Sequence, residues 1–287
     1  MKKSFPFYKM QASGNDFVVV DNRKKAIRDP KKVTRALCER HTGIGSDGVL
    51  LIEPSRKADF KMRILNADGS EAEMCGNGSR CVALYANKVL GLPRRFWIET
   101  LAGVIGAEVR GDTVKVRLVD PKDFRPESIL DVGGKKFRYY FINSGVPHTV
   151  IFVDDLTSFP VDEVGKKVRF HERFKPAGAN ANFVQVTGRQ SVSVRTYERG
   201  VGETQACGTG VSASAIVSVL SKRCKPPVKV KTLGGEVLNI YFDHDKFDSR
   251  RGQAKKYCLS PSVKVNNVYL EGKAHFVFKG NFLPNSN

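Results

Sequence analysis

No apolar run in the sequence approaches the ~20 residues that a membrane-spanning helix needs, so a spanning helix is excluded. The opening stretch, MKKSFPFYKMQASGNDF, is basic but lacks the apolar core of ~7–15 residues that a secretory leader carries. A cytoplasmic location is therefore expected. Cysteine is sparse, at six residues in 287 (Cys38, Cys75, Cys81, Cys207, Cys224, Cys258), and none form a C-x-x-C pair. That spacing argues against a zinc ribbon, and in a reducing compartment these residues are thiols rather than disulfides. Acidic residues are also scarce, 29 against 48 Lys and Arg, which leaves a formal charge of +19. The excess comes from doublets such as Lys24-Lys25, Arg94-Arg95, Lys166-Lys167 and Lys255-Lys256, spread between apolar segments. A nucleic-acid binder would concentrate such charge in an arm or one helix, so no nucleic-acid partner is expected. A basic field does suit an anionic small substrate.

What the sequence does have is an internal repeat. Residues 71–78 read EAEMCGNG and residues 203–210 read ETQACGTG, so that Glu71 and Glu203, and Cys75 and Cys207, are both offset by 132. Thr100-Leu101-Ala102-Gly103 and Thr232-Leu233-Gly234-Gly235 keep the same offset, and the segments around Asp21 and Asp154 match at 133. This period is far longer than the ~20–50 residues of a solenoid unit. It reads as two copies of one domain, the first over 1–120 and the second over 121–273. A chain of 287 residues with 41% hydrophobic and 27% charged residues is ample for two such cores.

Each copy has the same order of elements. Strands FVVVD (17–21) and VIFVD (150–154) are β-branched and aromatic. A C-G-x-G turn follows and opens a helix. Val82, Tyr85 and Val89 lie at helical spacing over 79–90, and Gly91-Leu92-Pro93 stops that run. The second helix, 211–220, is apolar or small on every side, as expected of a buried helix. Strands resume at 114–120 and 237–243. The class is α/β (α+β), with strands wrapped about one buried helix in each half.

The repeated turn carries the chemistry. A cysteine just before a helix has its thiol pKa lowered by the helix N-terminus. The glycines admit a ligand or a second backbone closely, and the N–H groups of the first turn suit a carboxylate. Taken singly, such a cysteine is more often a packed core residue. Two in register suit a reaction that needs two acid–base groups: removal of an α-proton from one face of an amino acid and its return on the other. The negative charge that develops in the carboxylate would be stabilised by those N–H groups. Cys75 and Cys207 are therefore the candidate acid–base pair, and a cleft between two such domains is the expected place for a small ligand.

The stretches GNDFVVVDN (14–22), GIGSDGVLLIEPS (43–55), RILNADGSEAEMCGNGSRC (63–81), NSGVPHTVIFVDD (143–155), GANANFVQV (178–186) and YERGVGETQACGTG (197–210) resemble diaminopimelate epimerases over nearly the whole chain. The resemblance implies two pseudo-symmetric domains, each a barrel-like mixed sheet around a central helix, with a C-terminal segment (274–287) crossing back to the first. It implies epimerisation of LL- to meso-2,6-diaminoheptanedioate for lysine and peptidoglycan precursors, without pyridoxal phosphate, other cofactor or metal. By position, Cys75 and Cys207 are then the acid–base residues, with His148 and Glu198 assisting them. Gly76, Asn77, Gly208 and Thr209 supply backbone N–H groups, and Asn15, Asn66, Asn180, Glu198 and Arg199 contact the substrate. The implied partner is a small diamino-dicarboxylate, with no membrane and with a homodimer admitted as an assembly.

Two positions depart from the family pattern: Val146, where many members have Asn, and Gly48, where some have Gln. The alternatives are a racemase of the same fold acting on another amino acid such as histidine, a basic binding module, and a pyridoxal enzyme. The paired thiols argue against the binding module, and no lysine is framed for a Schiff base. Arg199 could also be a surface partner of Glu203.

Overall fold

The structure is a computed structural model that describes residues 4–198, 200–245 and 263–283. It divides into two units, residues 1–117 with 271–287, and residues 118–270. The first contains β1 (Phe5–Ala12), β2 (Asn15–Asp21), α1 (Pro30–Cys38), β3 (Gly48–Glu53), β4 (Phe60–Asn66), β5 (Glu71–Ala72), α2 (Gly76–Lys88), β6 (Arg95–Thr100), β7 (Gly103–Arg110) and β8 (Thr113–Arg117). The second contains β9 (Lys122–Val132), β10 (Lys135–Asn143), β11 (Pro147–Phe152), α3 (Val161–Arg169), β12 (Asn180–Gly188), β13 (Ser191–Glu198), β14 (Gly202–Thr204), α4 (Gly208–Leu220), β15 (Val228–Lys231) and β16 (Val237–His244). Strand β17 (Val265–Lys273) starts in the second unit and ends in the first, where β18 (His275–Phe282) pairs with β1.

The two units share one topology. In the first, β1–β2 is antiparallel, β2–β3 parallel, β3–β4 antiparallel, β4–β6 parallel and β6–β7 antiparallel. In the second the same sequence of pairings runs through β10, β11, β12, β13, β15 and β16. Strand β18 flanks β1 as β9 flanks β10. Helix α2 touches β1, β2, β3, β4, β7 and β8, and α4 touches β10, β11, β12, β13, β15 and β16. A helix that meets strands from both ends of its sheet is enclosed by that sheet.

The period-2 alternation of the strands explains how the sheets cover two faces. Val18, Val20, Val49, Leu51 and Leu65 pack on one side with Leu37 of α1. The alternate residues point the other way, and Leu50 lies under the first turn of α2. In the second unit Ile151, Ala181 and Phe183 pack with Val161, Val164 and Val168 of α3. Helix α4 buries every residue from Gly210 to Leu220. Its serines satisfy their hydroxyls on the preceding turn, Ser212 on Gly208 O (2.9 Å), Ser214 on Gly210 O (2.7 Å) and Ser218 on Ser214 O (2.7 Å). The 132-residue offset also holds for a part-buried fork: Arg63 grips Glu71 with two bonds of 2.8 Å, and Arg195 grips Glu203 at 2.5 and 2.8 Å. Glu203 is thus gripped from the neighbouring strand by Arg195. Each fork ties the short strand before the C-G-x-G turn, which carries the glutamate (β5 or β14), to the longer strand that carries the arginine (β4 or β13).

Candidate active site

In both units the cysteine is the N-cap of the buried helix. Cys75 has extended backbone (φ −146°, ψ 114°) and its Sγ accepts from the Gly78 N–H at 3.4 Å. Cys207 (φ −115°, ψ 110°) accepts from the Gly210 N–H at 3.4 Å. A thiol thus occupies the place usually filled by Ser, Thr, Asn or Asp, and satisfies the third N–H of the helix. The first intrahelical bonds run from Ser79 N to Cys75 O and from Val211 N to Cys207 O, both 2.8 Å. The N–H groups of Gly76, Asn77, Gly208 and Thr209 lie ahead of those bonds, in the position of an anion site.

The surroundings of the two thiols differ. In the first unit Asn15 Oδ1 is 4.0 Å from Cys75 Sγ, and Asn15 Nδ2 donates to Asp47 Oδ2 at 2.7 Å. Asp47 is also held by Arg40 at 3.0 Å. The Asn77 side chain is buried, and its Oδ1 accepts from Arg80 at 2.7 Å. Asn66 ends β4 exposed, with its side chain on Ser70 Oγ at 3.0 Å.

In the second unit a polar chain reaches Cys207. Asn182 Nδ2 donates to the Thr149 carbonyl (2.8 Å) and faces His148 Nδ1 (3.1 Å). A carbonyl only accepts, so the amide nitrogen must point this way, and Nδ1 must be the acceptor. The proton of the neutral ring then sits on Nε2, which donates to Thr209 Oγ1 at 3.0 Å. Thr209 is left to donate to Cys207 Sγ at 3.4 Å. The Asn182 Oδ1 accepts from Thr196 Oγ1 at 3.0 Å, which completes the amide.

Glu198, at the end of β13, accepts from Thr204 Oγ1 at 2.6 Å, and its carboxylate acts electrostatically on the Cys207 thiol. Burial first, and then the Glu198 charge, push the Cys207 thiol well above its ordinary range, against the Thr209 and Gly210 donors. Cys207 is therefore a thiol at rest, capable of giving a proton.

His148 is fully buried, and that burial lowers its pKa from the ordinary 6.5 to about 3. The unfolded chain takes up this proton below pH 6.5 and the folded chain does not. The stabilisation is present above pH 6.5 and is lost as pH falls toward 3. Thermal unfolding of a His148→Gln variant across that window should show a pH dependence shallower by about 1.4 kcal/mol per pH unit. An unchanged slope would place the acid sensitivity elsewhere.

Of the residues expected from the sequence, Cys75 and Asn15 come together in the first unit. Cys207, Thr209, His148 and Glu198 come together in the second, where Asn180 opens β12 directly beside His148 in parallel register. Arg199 and Cys258 lie outside the described residues. Gly48 pairs with Asn66, and a Cβ there would lie 2.7 Å from the Leu65 carbonyl, so the departure from Gln is built into the β3–β4 contact. Val146, the other departure, is 40% exposed. Sequence reasoning did not single out Asn182, Thr196 or Ser144. The signal for Asn182 was a polar residue inside the apolar strand ANFV, which folds only with its hydrogen bonds made.

Among the described residues no helix is long and apolar enough to cross a membrane, and no group of three or more His, Cys, Asp or Glu could hold a metal.

A family model described as diaminopimelate epimerase matches residues 7–122 and 140–257. The diaminopimelate epimerase of Aquifex aeolicus (strain VF5) is 44% identical over 291 residues, 96% of each chain. That of Archaeoglobus fulgidus is 42% identical over 255 residues, 83% of this chain and 90% of its own. Among solved structures, a phenazine biosynthesis protein of the PhzF family from Bacillus anthracis superposes with a TM-score of 0.70 at 16% identity, covering 98% of this chain and 100% of that one. A hydroxyproline epimerase from Agrobacterium vitis gives 0.67 at 17% identity, covering 98% and 92%. At such identities these two share the fold alone. The repeated cysteine caps, and the relatives' identity over nearly their full length, establish that this chain belongs to the diaminopimelate epimerase family.

Proposed function

We propose that the chain epimerises LL-2,6-diaminoheptanedioate to the meso form by a two-base mechanism, with one thiol from each unit. Cys75 takes the α-proton in the resting enzyme and Cys207, held as a thiol, gives one back; the roles exchange in reverse. The N–H groups of Gly76, Asn77, Gly208 and Thr209 receive the reacting carboxylate and stabilise the enediolate charge. Asn15, Asn66, Asn180, Glu198 and Arg199 hold the rest of the substrate, Arg199 by a bidentate grip on a carboxylate. Glu198 and the His148–Thr209 chain set the protonation of Cys207. No cofactor is invoked, and the reaction is placed in the cytoplasm on a free diamino acid.

The observation that carries this reading is the same thiol cap on two buried helices in two units of one topology. A packed core cysteine has no reason to recur in that cap position with its Sγ on the third N–H both times.

The substrate is tested by incubating the enzyme with LL-diaminoheptanedioate and, separately, with histidine, proline and hydroxyproline, and resolving stereoisomers by chiral chromatography. Meso product from the diamino acid, with no inversion of the others, is expected. Inversion of histidine or a cyclic amino acid, without turnover of the diamino acid, would overturn the substrate assignment.

A further inference from the structure

Arg80 is among the largest fully buried side chains in the chain. A guanidinium keeps its charge at any working pH, and burying one is costly unless its donors are used. One Nη of Arg80 donates to Ser13 Oγ (2.5 Å) and Asn77 Oδ1 (2.7 Å), and the other to the Lys273 carbonyl (3.0 Å). Ser13 opens the two-residue turn between β1 and β2 with φ of 56°, a region that serine enters only at a cost. Two residues on is Asn15, the neighbour of Cys75 Sγ. Asn77 lies two residues after Cys75, in the first turn of α2. Arg80 therefore clamps together the two segments that meet at Cys75.

The second unit makes the same link without a charge. Ser144, in the turn between β10 and β11, donates directly to the Thr209 carbonyl at 2.9 Å. Thr209 stands 132 residues after Asn77, and the residue 132 after Arg80 is Ser212, whose hydroxyl bonds back to Gly208 O. Other differences follow the same division. His148 and Asn182 have Phe17 and Leu50 at the matching strand positions of the first unit. Cys207 has the Glu198 carboxylate beside it.

Taking the two-thiol reaction as given, we propose that Arg80 is a positioning residue for Cys75. It fixes the Ser13–Asn15 turn against the start of α2, and it places a permanent positive charge behind the thiol, so that Cys75 is the thiolate of the resting pair. Among the described residues, the other charged side chains on the segments around this turn are Lys9, Asp16, Arg40, Asp47, Glu71, Glu73 and Lys273, of which Glu71 pairs with Arg63 at 2.8 Å and Lys273 with Asp112 at 3.4 Å. Lys9 pairs with Asp16 at 2.5 Å and Arg40 with Asp47 at 3.0 Å, so their fields at Cys75 largely cancel, and Glu73 is exposed. The N-terminus of α2 acts in the same sense as Arg80.

The test compares Arg80→Met, Arg80→Lys and Ser13→Ala with the parent. Iodoacetamide labelling of Cys75 and Cys207 is followed by peptide mass spectrometry, alongside kcat and KM for the diamino acid. In Arg80→Met, labelling of Cys75 slows about tenfold, as a shift of about one pKa unit would produce. Cys207, the internal control, stays within about twofold, and kcat falls with Cys75 labelling while KM moves little. Arg80→Lys, which keeps the charge, recovers part of both losses. Ser13→Ala, a milder change, slows Cys75 alone. Labelling of Cys75 that is unchanged or faster, or that changes in step with Cys207, would overturn the assignment. Slow Cys75 labelling with an unaltered kcat would support the role of Arg80 and count instead against Cys75 as a base.

Discussion

Cys75→Ala and Cys207→Ala each lose stereochemical interconversion by on the order of 10⁴-fold or more, the upper range for removal of one acid–base group. Inversion needs a base on one face and an acid on the other, so either deletion blocks the whole reaction in both directions. The double variant should therefore be little worse than either single, because the thiols act as a unit. Stability responds differently. Each substitution removes the acceptor of one helix N–H, Gly78 in the first unit and Gly210 in the second. Loss of an N-cap costs about 1 kcal/mol, so both variants stay folded at room temperature. Chiral chromatography of product and a thermal melt separate the two effects. Retention of more than about a tenth of parental activity by either variant would remove that thiol from the reaction.

Gly210→Ala is expected to be far more damaging than Gly78→Ala, although the two glycines are repeat equivalents. A Cβ on Gly210 would overlap Asn182 Oδ1 and approach Thr196 Oγ1 and Cys207 Cβ, both at 3.3 Å. Asn182 has nowhere to go. It is fully buried and tied to Thr149 O, His148 and Thr196. Displacing it strands at least two buried polar groups at about 1–3 kcal/mol each, and it releases the ring that orients Thr209 toward Cys207. A stability loss of several kcal/mol is expected, with kcat reduced by about two orders of magnitude. In the first unit the matching Cβ meets Leu50 Cδ2 at 3.0 Å, the end of a flexible side chain. Crowding of that kind costs about 1–3 kcal/mol, offset by up to about 1 kcal/mol from the better helix propensity of alanine. Equal melting temperatures for the two variants would contradict the difference between the two pockets.

Much of this was legible from the residues. The offset of 132 was visible because the C-G-x-G turns constrain their backbone, and so keep their residues, in both copies. The strands expected at 17–21 and 237–243 are found at Asn15–Asp21 and Val237–His244, since β-branched and aromatic runs have few other homes. The helices expected at 79–90 and 211–220 start earlier, at Gly76 and Gly208, because the cysteine itself is the cap and glycine is tolerated inside the first turn.

Helices α1 and α3 were not anticipated. The Asp29-Pro30 start of α1 was a readable signal, with Asp29 Oδ1 on the Lys32 N–H at 3.1 Å. Helix α3 is broken in pattern by Gly165, which is there because Tyr197 lies against it. The chemistry that separates the two thiols was least legible. It depends on Asn182, Thr196 and Arg80, whose roles come from contacts distant in sequence. Arg80 in particular looks from sequence like an exposed helix charge. Repetition made the two cysteines conspicuous, and the residues that make them different are those that do not repeat.

Two monoprotic thiols acting on opposite faces of one carbon imply a specific isotopic outcome. The most direct test is turnover of LL-diaminoheptanedioate in D₂O, stopped early, with deuterium located by mass spectrometry and NMR in both the recovered substrate and the product. A thiol that has taken the substrate hydrogen has no second proton to exchange, while the opposite thiol delivers one from solvent. A single deuterium is expected at the inverted carbon of the meso product, and none in the recovered LL substrate. Deuterium entering recovered substrate as fast as product, or product that keeps the substrate's own hydrogen, would contradict the two-thiol reaction.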